Sequence, residues 1–139
     1  MFKHIMVPID LSDRQGRMLR MACDLATDNG ARVTLLHVVQ RVAGLAPREL
    51  RGFYQRLVKT SQRRLTLAAK PFVTRGVSVR VEVLVGEPVE EILRLAIARK
   101  ADLVIMGSHK VKAERRTRGW GTISYRVGLL CQCPILLVK

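Results

Sequence analysis

Leu103-Val-Ile-Met-Gly-Ser108 is an apolar run that ends in a glycine turn, and it predicts a buried strand. A loop rich in lysine and arginine follows, and a new helical pattern begins at Gly121-Thr122. Glycine lets an anion approach the bare backbone, and a threonine N-cap leaves the positive end of the helix dipole facing outward. The stretch therefore predicts a strand, an anion-binding loop and a helix, with a nucleotide phosphate as the expected anion.

The same alternation of strand and helix runs through the rest of the chain. Apolar or alternating runs predict five strands, at residues 3–8, 33–39, 77–85, 103–106 and 134–138. Strands joined by helices form a parallel sheet with helices on both faces. We therefore predict an α/β fold for residues 1–139, a single three-layer α/β/α domain with a five-stranded parallel sheet. Ligands of such sheets bind outside the carboxyl ends of the strands, where the winding direction reverses.

Three local signals refine the ends of the elements. Ser12 and Gln15 have the spacing of a capping box, which predicts Ser12 as the N-cap of the first helix. Pro71 lies near the end of a long helix predicted over residues 48–73, where we expect it to kink the last turn. Pro134 opens the last strand, which therefore suits an edge of the sheet.

The charge of the chain is unusual. Its 25 basic and 11 acidic residues give a formal net charge of +14. Such a field attracts polyanions and anionic ligands, but it does not by itself identify a nucleic-acid-binding protein. Aromatic residues make up only 4% of the chain, too few for the stacking platforms of single-strand binders. A nucleic-acid partner therefore stays open as an alternative.

The N-terminal residues and the cysteines bear on the cellular compartment. The first residues lack a cleavable signal pattern, and no apolar run reaches the roughly 18 residues that a membrane span needs. We therefore expect a cytoplasmic chain with no membrane partner. An odd count of three cysteines favours reduced, structural thiols at Cys23, Cys131 and Cys133. Redox or metal use of Cys131-Gln-Cys133 is the alternative.

Candidate ligand-binding residues follow the first and fourth strands. Asp10 ends the first strand, where it could accept hydrogen bonds from a ribose or a base, or cap the following helix. Gly107 and Ser108 hold the equivalent place after the fourth strand. The basic residues from Lys110 to Arg118 form either a phosphate clamp or an ordinary solvated loop.

No catalytic set of residues can be assembled from the sequence. We expect His4 and His37, which lie in apolar strands, to be core histidines, and His109 is the histidine nearest the predicted phosphate loop. Neither the P-loop motif nor the dinucleotide-binding G-x-G-x-x-G motif is present. A binding protein is therefore expected rather than an enzyme, with slow ATP hydrolysis as the alternative.

Five stretches, in order along the chain, resemble the universal stress protein family. They are Ile5-Met-Val-Pro-Ile-Asp10-Leu-Ser12, Leu35-Leu-His-Val38-Val39, Gly86-Glu-Pro-Val-Glu-Glu-Ile92, Ala101-Asp-Leu-Val-Ile-Met-Gly-Ser108 and Cys133-Pro-Ile-Leu-Leu-Val138. The resemblance covers essentially the whole chain. It implies an adenine nucleotide alpha hydrolase-like fold with strand order 3-2-1-4-5, and a homodimer formed through the last strand, Pro134 to Val138.

The resemblance also implies an adenine-nucleotide site, for ATP or AMP, with Mg2+ as an optional companion of the phosphates. Asp10 would hold the ribose, and Pro8, Ile9, Val38 and Met106 would line the adenine pocket. The residues implied along the phosphates and at the start of the last helix are Gly107, Ser108, His109, Lys110, Gly121, Thr122, Ile123 and Ser124. The implied function is a binding or signalling module of the stress response.

The chain departs from the family's ATP-binding signature, Gly-x2-Gly-x9-Gly-[Ser/Thr], at two points. Lys110 stands where the signature has its second glycine, and ten residues instead of nine separate it from Gly121. A lysine could replace a backbone contact to phosphate with a charge-assisted one. The alternative is a family branch, resembling universal stress protein A, that lacks the signature. On that reading the basic surface would bind polyanions or a protein partner.

Overall fold

The computed structural model describes residues 1–12, 15–44, 47–108 and 122–139. Strands and helices alternate along them as predicted. Their bounds are β1 (His4–Pro8), α1 (Gly16–Asn29), β2 (Arg32–Gln40), α2 (Pro47–Thr74), β3 (Val79–Gly86), α3 (Pro88–Ala98), β4 (Leu103–Gly107), α4 (Ile123–Leu130) and β5 (Ile135–Val138).

The five strands form one parallel sheet in the order β3-β2-β1-β4-β5, which confirms the expected order. β1 lies in the middle, where Ile5 aligns with Val33 of β2 on one side and with Leu103 of β4 on the other. β5 is an edge strand, as Pro134 predicts. The direction of winding therefore reverses between β1 and β4.

Each face of the sheet is covered by its own apolar core. Ile5 and Val7 of β1 point into a cluster that holds buried residues of α1 and α2, whereas Met6 points into a second cluster with α3 and α4. Successive side chains of a strand face opposite sides, and all three are fully buried. The two clusters make the described residues a three-layer α/β/α arrangement.

The first helix begins later than the capping-box spacing predicts. The residue at the N-cap of α1 is Gln15, not Ser12, and its side chain makes no capping hydrogen bond. The backbone N–H of Ser12 instead donates to Asp10 Oδ1 at 2.9 Å. Aspartate favours such a local turn over a helix start, so the prediction of Ser12 as N-cap is wrong.

The boundary between α2 and β3 also differs from the prediction. α2 continues through Pro71 to Thr74, and the N–H of Val77 donates to the carbonyl of Phe72 at 2.9 Å. That bond belongs to the helix end, so β3 begins at Val79, two residues later than its valine pattern suggests.

Asp102 joins the starts of β1 and β4. Its carboxylate accepts the backbone N–H groups of Lys3 at 2.8 Å and His4 at 3.1 Å. Partial burial raises the pKa of Asp102, but these donors favour the charged form and leave the pKa below its ordinary value.

Among the described residues, no helix combines the length and the apolar character that a membrane span requires.

Two leucines of α2 test where the core lies. Leu65 is fully buried, whereas Leu67 is 59% exposed on the same helix. We expect Leu65→Ala to lower the free energy of unfolding by about 2–5 kcal/mol, because it leaves a cavity in a packed core. Leu67→Ala is the matched control and should change it by less than about 0.5 kcal/mol. Urea unfolding followed by circular dichroism measures both, and equal losses would contradict the packing described here.

Candidate functional site

A cavity of about 740 Å³ lies above the carboxyl ends of β1, β2 and β4. One wall is the first part of α2, and the opposite wall is formed by the beginnings of α3 and α4. This volume falls within the range of small-molecule and cofactor sites. The cavity occupies the place where β1 and β4 send their connections to opposite faces, which is where parallel sheets bind ligands.

The cavity brings together nine of the residues that the sequence nominates. These are Pro8, Ile9, Asp10, Val38, Met106, Gly107, Thr122, Ile123 and Ser124. Ser108 is not among the described residues that line it, since its backbone N–H donates to the carbonyl of Val138 at 2.8 Å and extends the pairing of β4 with β5. His109, Lys110 and Gly121 lie outside the described residues.

Asp10 is held at the floor of the cavity by two hydrogen bonds. Its Oδ1 accepts the backbone N–H of Ser12 at 2.9 Å and the side-chain Nε2 of Gln15 at 2.8 Å. Both bonds with described residues use Oδ1, and the residue is exposed to solvent. The carboxylate is thus fixed in orientation, and within the described part of the chain its Oδ2 accepts no hydrogen bond.

Gln15 is the buried partner that positions this carboxylate. It is only 8% exposed, and its Oε1 has no hydrogen-bond partner among the described residues. The amide cannot be turned over, because Oε1 would then face the Asp10 carboxylate. A Cβ on Gly107 would lie 3.4 Å from Gln15 Nε2, so the glycine that ends β4 leaves space for this amide.

A side chain of α2 contacts the loop after β1 from the other side. Leu11 has a φ of +64°, a conformation that costs a residue with a side chain of order 1–2 kcal/mol. Arg64 of α2 donates to the carbonyl of Leu11 at 2.6 Å and also lines the cavity. The guanidinium therefore holds the loop that carries Asp10 in its strained path.

α4 presents its N-terminus to the cavity. Thr122 is the N-cap residue, and its Oγ1 accepts the N–H of Tyr125 at 3.3 Å. The N–H groups of Ile123 and Ser124 belong to the first turn, whose donors have no partner inside a helix. Together with the positive end of the helix dipole, they suit an anion.

Sequence reasoning missed the wall that α2 contributes. Phe53, Leu57, Thr60, Ser61 and Arg64 all line the cavity. Phe53 and Leu57 continue the apolar period of the helix, yet they are 40% and 36% exposed. The period predicts an inward face, but it does not tell a packed core from the wall of a cavity.

The two strand histidines differ in their surroundings. His4 is the expected core histidine, since it is 6% exposed and its ring contacts the Arg99 carbonyl and Thr34 Oγ1 at 2.7 and 2.8 Å. His37 is half-buried and lines the cavity, with Nδ1 donating to the carbonyl of Ile9 at 2.6 Å. In a neutral ring this bond makes Nε2 an acceptor.

The lining is suited to holding a ligand with an apolar ring and a few hydroxyl or anionic groups. Apolar side chains dominate it, and Asp10 and Arg64 are its charged residues within the described part of the chain. That same part contains no group of three or more His, Cys, Asp or Glu residues placed to hold a metal ion.

The Gln15–Asp10 bond can be tested with an isosteric change. Gln15→Glu replaces the Nε2 donor with a carboxylate that faces Asp10, and at pH 7 we expect a loss of about 2–4 kcal/mol in the free energy of unfolding. The pair should bind a proton with a raised pKa, so stability returns as the pH falls below that value and is lost as it rises.

The matched control is Gln62→Glu on the exposed face of α2, which should change stability by less than about 0.5 kcal/mol. Urea unfolding of both variants between pH 4 and pH 8 measures the difference. If Gln15→Glu were as stable as the control at every pH, the orientation assigned to the Gln15 amide would be wrong.

Comparison with known proteins identifies the family. The family model described as "Universal stress protein family" matches residues 1–139. A universal stress protein of Methanocaldococcus jannaschii, MJ0531, is 32% identical over 143 residues, covering 100% of this chain and 83% of the relative. A universal stress protein of Thermus aquaticus is 31% identical over 148 residues and covers 100% of both chains.

Solved structures agree with these matches. The structure of the protein MJ0577 superposes with a TM-score of 0.80 at 27% identity, covering 100% of this chain and 96% of its own. A universal stress protein in complex with cAMP has a TM-score of 0.73 at 20% identity, with 99% and 97% covered. One from Archaeoglobus fulgidus in complex with dAMP has a TM-score of 0.68 at 21% identity, with 99% and 98% covered. The chain therefore belongs to the universal stress protein family.

Proposed function

We propose that this universal stress protein binds an adenine nucleotide in the cavity above β1 and β4 and acts as a binding or signalling module of the stress response. One observation carries the proposal. The cavity combines an oriented carboxylate, Asp10, with a glycine at the end of β4 and the N-terminus of α4. These are groups that a sugar hydroxyl and a phosphate require.

The apolar part of the lining suits the base. Pro8, Ile9, Val38 and Met106 lie around the strand ends, and we assign the adenine ring to them. The Oδ2 of Asp10 would accept a ribose hydroxyl, because Oδ1 is engaged by Gln15 and Ser12. This assignment accounts for an acid in a cavity that is otherwise largely apolar.

The phosphates would lie toward Gly107 and the first turn of α4. Thr122, Ile123 and Ser124 supply that turn, and His109, Lys110 and Gly121 are proposed as their companions from the sequence. Mg2+ would arrive with a triphosphate, since that ion is usually held by phosphate oxygens and water with only one or two carboxylates.

Relatives support the choice of ligand class. Universal stress proteins of the same fold were solved with cAMP and with dAMP. Both of these ligands carry an adenine and a single phosphate, so a site that holds the base and sugar firmly would not need a triphosphate. We therefore expect AMP as well as ATP to bind.

Asp10→Asn tests the proposal with little change of shape. The amide oxygen takes the place of Oδ1 and still accepts from Gln15 and Ser12, so the loop keeps its path. The NH2 group then replaces Oδ2, so the ribose hydroxyl loses both its acceptor and the negative charge. We expect the Kd for AMP and ATP to rise by about tenfold. Isothermal titration calorimetry measures the change.

Asp28→Asn, an exposed change at the end of α1, is the matched control and should leave the Kd unaltered. The wild-type chain should also be titrated with ADP. If millimolar ATP, ADP and AMP gave neither heat nor a shift in Tm with the wild-type chain, nucleotide binding would be excluded.

The homodimer expected through Pro134 to Val138 stays a prediction. It is supported by the edge position of β5 and by exposed apolar side chains around it. Leu137 is 37% exposed, and Leu129 and Leu130 at the end of α4 are 67% and 59% exposed. An edge strand with apolar neighbours is a common site for pairing with a second copy.

A second candidate function rests on the exposed face of α2. Lys59, Arg63 and Lys70 line a shallow groove along this helix, and none of them forms an ion pair with a described acid. With a net charge of +14, this basic groove could bind a polyanion such as DNA through its phosphates.

The contribution of the basic groove to DNA binding can be distinguished from that of the overall positive charge. Binding of a short, fluorescently labelled DNA duplex is measured by anisotropy over a series of salt concentrations. Replacing Lys59, Arg63 and Lys70 together with Gln should weaken binding and lower the slope of log K against log salt by about 2–3, since each phosphate contact contributes about 0.9.

The matched control replaces three exposed arginines elsewhere with Gln, namely Arg20, Arg32 and Arg41. It removes the same charge without touching the basic groove and should retain most of the salt slope. Equal losses in the two triple variants would show that the basic groove is not the binding surface, and no binding at low ionic strength would exclude the function.

A further inference from the structure

Two thiols lie in contact where α4 meets β5. Cys131 Sγ and Cys133 Sγ are 3.4 Å apart. Cys131 is the C-cap residue of α4, with φ −71° and ψ 137°, and its N–H donates to the carbonyl of Val127. Cys133 comes directly before Pro134 and the start of β5. The contact therefore joins two residues of one short connection.

The pair differs from the third cysteine in its access to solvent. Cys131 and Cys133 are half-buried and pack against the core that α3 and α4 cover. Cys23 is 3% exposed and lies in the opposite core, beneath α1. A small oxidant in water can thus reach the paired thiols, and Cys23 serves as an internal reference.

The local backbone is compatible with a bond between the two sulfurs. Disulfides form when the Cα atoms are about 4.4–6.8 Å apart, and two residues of fully extended chain span at most about 7 Å. Gln132 and Cys133 form a bend, which brings the ends closer than full extension would. Rotation of the side chains can then close the sulfur contact.

The protonation of Cys133 bears on which sulfur reacts first. Burial and the neighbouring Cys131 thiol raise the pKa of Cys133 to about 12, so Cys133 holds its proton at neutral pH. The attacking species in thiol chemistry is the thiolate. Because burial disfavours the thiolate of Cys133, we assign the first attack on an oxidant to Cys131 and the resolving step to Cys133, and the variants below test this order.

We propose that Cys131-Gln132-Cys133 is a reversible dithiol–disulfide site whose oxidant is a low-molecular-weight disulfide such as oxidised glutathione. The Cys131 thiolate attacks one glutathione sulfur, forms a mixed disulfide and releases the first glutathione thiolate, which takes up a proton. Cys133 then loses its proton to water and attacks Cys131 Sγ, releasing the second glutathione. Two protein thiols are oxidised while one glutathione disulfide is reduced.

This bond would act on both elements that it joins. α4 begins at the cavity with Thr122 and ends at Cys131, and β5 pairs with β4 from Ile135 onward. A bond across the connection restrains how the helix end and the edge strand meet. The site is independent of nucleotide binding, since it follows from the sulfur contact alone.

The test uses the reduced full chain equilibrated with mixtures of reduced and oxidised glutathione. The chain is then unfolded in urea with excess N-ethylmaleimide, so that buried and exposed free thiols are all labelled, and the mass of the intact chain is measured. Of the three thiols, we expect Cys23 alone to be labelled after oxidation and all three after dithiothreitol. The bond should appear within the tryptic peptide from Val127 to Lys139, which carries both cysteines.

Variants separate the two roles. Cys133→Ser should accumulate the mixed disulfide on Cys131, because nothing resolves it, whereas Cys131→Ser should react several-fold more slowly. Cys23→Ser is the matched control and should oxidise like the wild-type chain. Three results would overturn the proposal. The wild-type chain could still take up three maleimide labels after treatment with oxidised glutathione alone, or keep a lasting mixed disulfide with glutathione as Cys133→Ser does. It could also form the disulfide between two chains.

Discussion

The parallel pairing of β1 with strands on both sides is the constraint on which the site depends. β1 aligns with β2 through Ile5 and Val33 and with β4 through Ile5 and Leu103. Its own connection passes to the face that α1 and α2 cover, while β4 is followed by a helix on the other face. Because the two connections diverge, the strand ends between them stay uncovered and leave a cavity.

A small group of hydrogen-bonded polar side chains lines part of that cavity. The amide of Gln15 lies against Gly107 and donates to Asp10. Arg64 donates to the carbonyl of Leu11, whose backbone is in the left-handed conformation. A carboxylate fixed in this way loses little freedom when a ligand binds. The left-handed conformation of Leu11 costs stability, and residues in such conformations cluster at ligand-binding sites.

The remaining chemistry of the chain lies on elements that also border the cavity. The inner face of α2 lines the cavity, and its outer, basic face is exposed to solvent. α4 begins with Thr122 at the cavity and ends with Cys131 beside Cys133. The proposed nucleotide site therefore shares one helix with the basic groove and another with the dithiol.

The order of strands and helices follows from the amino-acid pattern, because apolar periods of two and of three to four residues depend only on local geometry. The same pattern determined that Asp10 and Gly107 follow strands, and the family resemblance supplied the strand order. Ser12 as an N-cap and Val77 as a strand residue were wrong, because a local turn at Asp10 and the end of α2 compete for the same backbone groups. The folded chain was needed to show that Gln15 orients Asp10, that Phe53 and Leu57 form a wall and that His37 faces the cavity. The Gln15–Asp10 bond spans five residues across an irregular turn, and the cavity wall brings together residues distant in the chain. No periodicity encodes which of these side chains will meet.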